Sequence, residues 1–523
     1  MSALLAQLRA YLGPNAPVSL TRNASLSVFS FVVSALTAFV VSPMIIGTLG
    51  SAPYGLISMA GELTVQFALL SFGLRGALNF FVARGLARQD YGEVEHTIRT
   101  ALTILLGLAG VGTLILAVLL ARLPEWFNLN GIPEGEARFS VGLLLVVFLL
   151  GFPMSIFSAA LAGLRRYDLD NMVMIVSLLA TAGLVVVALN VSGTLAAVAI
   201  AQASGTVLRW LLQWLLIRRM RFPVRFLPSR VDPVKARDLF SFGAADLILT
   251  LSTAVTLQSD LIVIGRMAGA AAAGQYQVGR YLGVHLFSLI GAITMTLGSN
   301  FTYHHTREDR PALSGLFLDS SRYISGIACV LAGVILVYGD PFIALWVGPR
   351  FVEGPFWDSG RTILILMTAA MLARSMGNVC SQYLLGVRQL KWFAAVRVTE
   401  AALSLGASIL LVGWLGLAGV ALAKLVVSVV SHLAFSIPYC CHLLGIPLRR
   451  YTLHAIVRPL VVLAGTGGVA LLLRQALPPA SWPSLIAGGG AATLVGAALG
   501  WWVVPSASER RAALASLRQY RQA

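Results

Sequence analysis

The run Ser241–Met267, SFGAADLILTLSTAVTLQSDLIVIGRM, is mostly apolar. It is long enough to cross a bilayer, because about 20 residues at 1.5 Å rise span the hydrocarbon. Yet it carries Asp246 and Asp260, with Thr250 and Thr253 between them. At about 100° per residue these four positions fall on one helix face. A carboxylate at the bilayer centre costs about 2.5–3.5 kcal/mol on insertion scales. Such a stripe is expected to face protein or water rather than lipid tails. It either bonds neighbouring helices or lines a hydrated cavity or ion path.

The same reading extends to the whole chain. Of 523 residues, 58% are hydrophobic and 11% are charged, against about 25% charged in a soluble domain. Mean hydropathy is +0.83. Backbone polar groups in lipid must be satisfied internally, so long apolar runs predict transmembrane helices. Fourteen runs are expected, from 23–42 at one end to 485–504 at the other. Residues 3–12 form a short amphipathic piece ended by Gly13-Pro14, with no cleavage pattern behind the first run, so no signal peptide is expected. The joins alternate between basic and nearly uncharged. With both termini inside, 27 of the 38 Lys and Arg fall in inner joins and four in outer ones. That split predicts cytoplasmic termini and explains the net charge of +17 without nucleic acid. Cys329, Cys380, Cys440 and Cys441 show no metal spacing, so no disulfide, metal site or cofactor is expected.

The chain also repeats itself. Gly50 matches Gly269, and Arg88-Gln-Asp90 matches Arg307-Glu-Asp309, both at an offset of 219. Gly163-Leu-Arg165 matches Gly386-Val-Arg388, and Leu195–Ala201 matches Leu417–Ala423, at 223 and 222. A six-helix unit occurring twice keeps one orientation, so a pseudo-two-fold along the membrane normal is expected. The expected organisation is an N-lobe 1–217, a basic cytoplasmic join 218–240, a C-lobe 241–437, two further helices within 438–504 and a basic cytoplasmic tail 505–523. Ser506 and Glu509 in that tail fit a capping box.

Polar residues inside the runs are the candidate functional groups. The cations Arg75, Arg209, Arg280, Arg374 and Lys424 outnumber the acids Glu62, Asp246 and Asp260, with Glu400 placed near an inner end. A positively lined cleft between the lobes suits an anionic ligand, and guanidinium forks match phosphate oxygens. The alternative is mutual Arg–Asp pairing for structure. Glu62, Asp246 and Asp260 are candidate sites for a coupling cation, H+ or Na+. Asp168-Leu-Asp170 looks like a sugar-nucleotide metal motif but sits in a tight join with no soluble domain to complete it.

The stretch Pro43-Met-Ile-Ile-Gly-Thr-Leu-Gly50-Ser-Ala-Pro-Tyr54-Gly55-Leu resembles the end of the first helix and the start of the second in Wzx-type polysaccharide exporters of the MOP superfamily. The resemblance extends over most of the chain. It implies a flippase that moves an undecaprenyl-diphosphate-linked oligosaccharide, an O-antigen or exopolysaccharide repeat unit, across the bacterial inner membrane by alternating access. It also implies membrane lipids as surroundings, with polysaccharide polymerase and export machinery as partners. Arg22 and Arg75 fall where the related lipid II flippases carry cavity arginines, and Arg280 is the candidate in the second lobe. A drug exporter of the same superfamily and a membrane polysaccharide polymerase or ligase are the alternatives. The latter needs a sizeable outer loop, and the longest expected here is 339–360.

Overall fold

The computed structural model describes residues 20–505, apart from 72, 165, 221, 223, 225 and 296, together with 509–511. The 3–12 segment and the Ser506 half of the capping box lie outside the described residues. Every element among the described residues is helical. Eleven helices are long and apolar enough to cross a bilayer, and a bent pair, Ser51–Ser71 with Gly76–Leu86, makes up to twelve. The protein is therefore a multi-pass membrane protein.

The chain divides into two compact units, Met1–Gly274 and Gln275–Ala523. Unit 1 contains α1 Leu20–Leu49, α2 Ser51–Ala68, α3 Leu74–Ala87, α4 Tyr91–Ala121, α5 Glu134–Gly163, α6 Tyr167–Val191, α7 Leu195–Arg219, α8 Pro233–Gln258 and α9 Asp260–Met267. Helix α10, Ala270–Thr294, starts there and continues into unit 2. Unit 2 adds α11 Leu297–Thr306, α12 Arg310–Val347, α13 Gly360–Met376, α14 Asn378–Gly386, α15 Leu390–Val429, a π-helical turn Val430–Ser436, α16 Ile437–Leu444, α17 Arg458–Ala476 and α18 Trp482–Val503.

The turns follow from residue type. In unit 1, Gly50 has φ 91°, a conformation glycine adopts without strain, and it ends α1. Five residues on, Gly55 lets α2 cross the start of α10, because a Cβ there would lie 1.9 Å from the Ala270 carbonyl oxygen. The Gly50–Gly55 motif is thus a turn and a close helix crossing. Helix α4 starts at Asp90, whose carboxylate accepts from the Glu93 N–H, and α12 starts at Asp309, which accepts from the Ala312 N–H. The residues before these caps, Gln89 and Glu308, have φ 57° and 56°. Gly193 and Gly416 match at 58° and 59°. Backbone features thus recur at the spacing seen in the sequence.

Two boundaries differ from expectation. Helix α12 runs on to Val347, through Pro341, so the join expected at 339–360 is 348–359. Proline removes the N–H that would bond the Val337 carbonyl. Arg474 of α17 supplies a donor instead, Nη1 to Val337 O at 2.6 Å, and also grips Asp340 at 2.9 and 3.2 Å. The trailing pair α17–α18 is thereby fastened to α12, with Val337, Tyr338, Ala470, Leu485 and Ala492 buried together. Helix α15 is two helices, with non-helical Leu415 and Gly416 between them. Trp392 packs on Tyr439 at 4.6 Å, and Glu400 lies 3.7 Å from His432, so the second half runs back beside the first. The second half begins under a cap from Asp358, which accepts from the Leu417 N–H at 3.0 Å.

Candidate functional site

In unit 2 the most enclosed candidate span is Gly360–Gly386. It carries Arg374, which is 1% exposed. Its Nη1 donates to Glu400 Oε1 on the first half of α15. The other carboxylate oxygen, Oε2, accepts from Arg397 at 2.7 Å. His432 of the π-helical turn approaches with Nε2. The Arg374 guanidinium also lies 5.3 Å from the centre of the Phe287 ring, a cation–π contact. Gly377 makes room for His432, since a Cβ there would sit 2.3 Å from its Nδ1.

Two guanidiniums face one carboxylate, so with His432 neutral the cluster carries net positive charge. Arg374 Nε and Nη2 and both His432 nitrogens have no hydrogen-bond partner. Buried donors without partners are rare and costly. The cluster can therefore hold further negative charge or ordered water. Lys424, 1% exposed on the second half of α15, and Arg280, whose Nε donates to Gln277 at 2.6 Å, are also buried in unit 2.

Unit 1 is built differently. Asp170, in the first turn of α6, accepts from Ser158 at 3.0 Å and from Gln213 of α7 at 2.6 Å, with Arg209 at 3.8 Å. Asp168 is locked to Arg166, Nε to Oδ1 at 3.0 Å, and both are 1% exposed. The Asp168-Leu-Asp170 pair is thus spent on holding helix ends. Among the described residues no group of three or more His, Cys, Asp or Glu could hold a metal. The four cysteines are buried free thiols. Glu62 and Asp260 are buried at 8% and 0% exposure. Thr250 is exposed while Asp260 is enclosed, so these two share no single environment. Thr250 lines a cavity of about 240 Å³ with Ser71 and Ser155, at the bend between α2 and α3. The side chains of Arg22, Arg75 and Asp246 lie outside those described.

The structure therefore brings Arg374 together with Glu400, Arg397 and His432, and Arg209 together with Asp170. The sequence reading named Arg374, Arg209, Glu400 and Asp170 but paired neither arginine with its acid. The Arg397–Glu400 spacing of three was the available signal, since such pairs are neighbours on a helix. The Arg374 contact crosses 26 residues and has no local signature.

The fold has known counterparts. It resembles a structure titled "Lipid II flippase MurJ, inward closed conformation", with TM-score 0.68 and 13% identity, covering 92% of this chain and 98% of that one. It also resembles an inward-facing multidrug resistance MATE family transporter of the MOP superfamily, with TM-score 0.65 and 14% identity, over 79% and 95% of the two chains. These solved neighbours are a flippase and a transporter rather than enzymes. In sequence, the chain is 22% identical to the uncharacterized membrane protein EpsK of Bacillus subtilis (strain 168) over 512 residues, covering 95% and 98% of the two chains. Residues 20–297, more than half of the chain, match the family described as polysaccharide biosynthesis protein, and the protein belongs to that family.

Proposed function

We propose that the protein is a flippase of the MOP type that carries an undecaprenyl-diphosphate-linked oligosaccharide across a bacterial inner membrane by alternating access. The observation that carries this reading is a polysaccharide-biosynthesis family membership joined to a lipid II flippase fold over nearly the full length of both chains. The Arg374–Glu400–Arg397 cluster, with two guanidiniums to one carboxylate, supports an anionic ligand. The recurrent turns support two six-helix halves descended from one. With the halves of α15 counted separately and α8–α9 taken as one span, the chain crosses fourteen times. The charge split puts both termini in the cytoplasm.

Arg22, Arg75, Arg280, Arg374, Lys424 and Arg209 are the candidate diphosphate ligands. Arg374 and Arg209 already have carboxylate partners and would reach substrate only by exchanging them. Asp246, Asp260 and Glu62 are the candidates for coupling to H+ or Na+. Polysaccharide polymerase and export machinery are the expected partners.

The test is flipping of labelled polyprenyl-diphosphate sugar in vesicles. Arg75→Ala and Arg280→Ala should each slow it about tenfold or more, the loss of at least one charge-assisted contact. Wild-type rates in both would remove the ligand assignment. A strain lacking the protein should strand the lipid-linked unit on the inner leaflet. Drug export is the second reading, favoured by the MATE likeness. It requires that strain to keep normal polysaccharide and lose drug efflux.

A further inference from the structure

The join between α7 and α8 is not a free tether. Phe226 turns inward onto Phe157 of α5, ring centres 5.6 Å apart, and Val224 is buried. The chain then runs along α4 as a non-helical strap. Arg99 Nε donates to the Leu227 carbonyl at 3.3 Å. Ser229 exchanges two bonds with Thr103: its N–H donates to Oγ1 at 3.1 Å, and its carbonyl accepts from that hydroxyl at 2.8 Å. Asp232 closes the strap, 3.6 Å from His96, and caps α8 by accepting from the Val234 N–H at 2.8 Å.

Helix α4 gives the depth of the strap. At about 100° per residue, His96, Arg99 and Thr103 share a face with Leu114 and Val118. Beyond Thr103 that face is apolar and open, with Leu114 70% and Val118 59% exposed. Such a face in a multi-pass protein meets lipid tails, because apolar surface is driven out of water. Arg99 is the last charged residue of α4 before Arg122, which puts the water boundary near it. Thr103 lies one turn further in, about 6 Å deeper. Ser229 is therefore bonded to the lipid side of α4, just inside the interface. On either side of it, Leu227 and Val231 are 58% and 43% exposed.

We propose that residues 227–231 are a membrane-surface anchor whose partner is the anionic headgroup layer of the leaflet beside the join. Leu227 and Val231 enter the acyl boundary, within the depth of about 5–10 Å that interfacial segments reach. Arg230, exposed between them, meets lipid phosphate. The charge is complementary, since the join 218–240 holds seven Lys or Arg against Asp232 and Asp238. A protein from the aqueous side would find the tip of the strap turned toward lipid. The anchor needs no transported substrate and stands apart from the flippase reading.

The test uses the full chain in vesicles of phosphatidylcholine with or without phosphatidylglycerol. The four native cysteines are buried, so a fluorophore can be placed selectively on Leu227→Cys, Val231→Cys or Tyr91→Cys. Tyr91, exposed at the start of α4, is the control, about 18 Å nearer the water than Thr103. A nitroxide carried near the top of a lipid acyl chain should quench the labels at 227 and 231 several times more than the label at 91. Thr103→Val, which removes both bonds to Ser229, should bring the three labels closer together. Arg230→Gln should weaken binding of phosphatidylglycerol about fivefold and leave phosphatidylcholine unaffected, the loss of one basic contact. Equal quenching at all three sites would overturn the proposal. So would labels at 227 and 231 shielded by a second copy of the chain instead of by lipid, or an Arg230→Gln chain that binds phosphatidylglycerol as wild type does. If Thr103→Val does not fold, the labels on the otherwise unaltered chain decide the matter.

Discussion

Asp170 in unit 1 and Glu400 in unit 2 are both carboxylates met by arginine, but they hold different positions. Asp170 lies in the first turn of its helix, with a side chain 21% exposed. It is served mainly by neutral donors, Ser158 and Gln213. Glu400 lies ten residues into α15 with a side chain 1% exposed, and its partners are two guanidiniums and an imidazole. An acid at a helix start also gains from the N-terminal dipole. An acid in a helix interior gains nothing of the kind and survives only with buried cations. Turns that repeat between the two halves of the sequence thus frame interiors that do not, and the charge-dense interior belongs to unit 2.

The difference predicts unequal costs. Glu400→Ala leaves Arg374 enclosed without its counter-charge, a loss of about 3–5 kcal/mol. Asp170→Ala leaves Gln213 and Ser158 short of an acceptor, a loss of about 1–3 kcal/mol. Denaturant unfolding of the detergent-solubilised protein measures both. The double replacement Arg374→Met with Glu400→Gln should regain most of the first loss, because it removes the enclosed charge along with its partner. Equal costs for the two single variants would erase the contrast.

A smaller inequality is expected at the paired glycine turns. Both positions have positive φ, but Gly416 has ψ −148°, a region essentially reserved to glycine, so alanine strains Gly193 by about 1 kcal/mol and Gly416 by somewhat more. At Gly193 the nearest atom to an added Cβ is 3.6 Å away, so strain is the whole effect. At Gly416 the Cβ would lie 2.2 Å from Asp358 Oδ1, the oxygen that caps Leu417. Gly416→Ala therefore also displaces a cap, for about 2–3 kcal/mol in all. Melting curves of the two variants should separate by several degrees, and coincident curves would mean that the Asp358 cap carries no weight.

What sequence could supply here depended on range. Helices, joins and repeated turns were legible, because apolar periodicity, capping acids and left-handed glycines are local signals. The Arg88-Gln-Asp90 and Arg307-Glu-Asp309 match turns out to mark two capped left-handed turns. The buried cluster was only half legible. Arg374 stood out as a cation in an apolar run, but its acid comes from another helix, and the sequence near Glu400 points only to Arg397, three residues away. Helix α12 passed its expected end for the same reason: Pro341 reads as a stop until Arg474, far along the chain, takes over the freed carbonyl. The cavity under Thr250 depends on the bend between α2 and α3, which no single residue announces.

The smallest predicted effect concerns the feature the two halves share most closely. Asp90 and Asp309 each accept one backbone N–H three residues on, at 2.8 and 3.0 Å. Each follows a non-glycine residue held at positive φ. Replacing either aspartate by alanine should cost about 1 kcal/mol. Gln89→Gly and Glu308→Gly should each relieve about 1 kcal/mol of left-handed strain, less what glycine adds to the freedom of the unfolded chain. Both pairs should shift stability by matching amounts, since the local geometry is the same whatever chemistry the following helix buries. A cap worth clearly more at Asp309 than at Asp90 would mean that the turn in unit 2 does more than start a helix. The polar cleft of about 620 Å³ beside it, lined by His304, Asp309 and His442, would be the place to look for the cause.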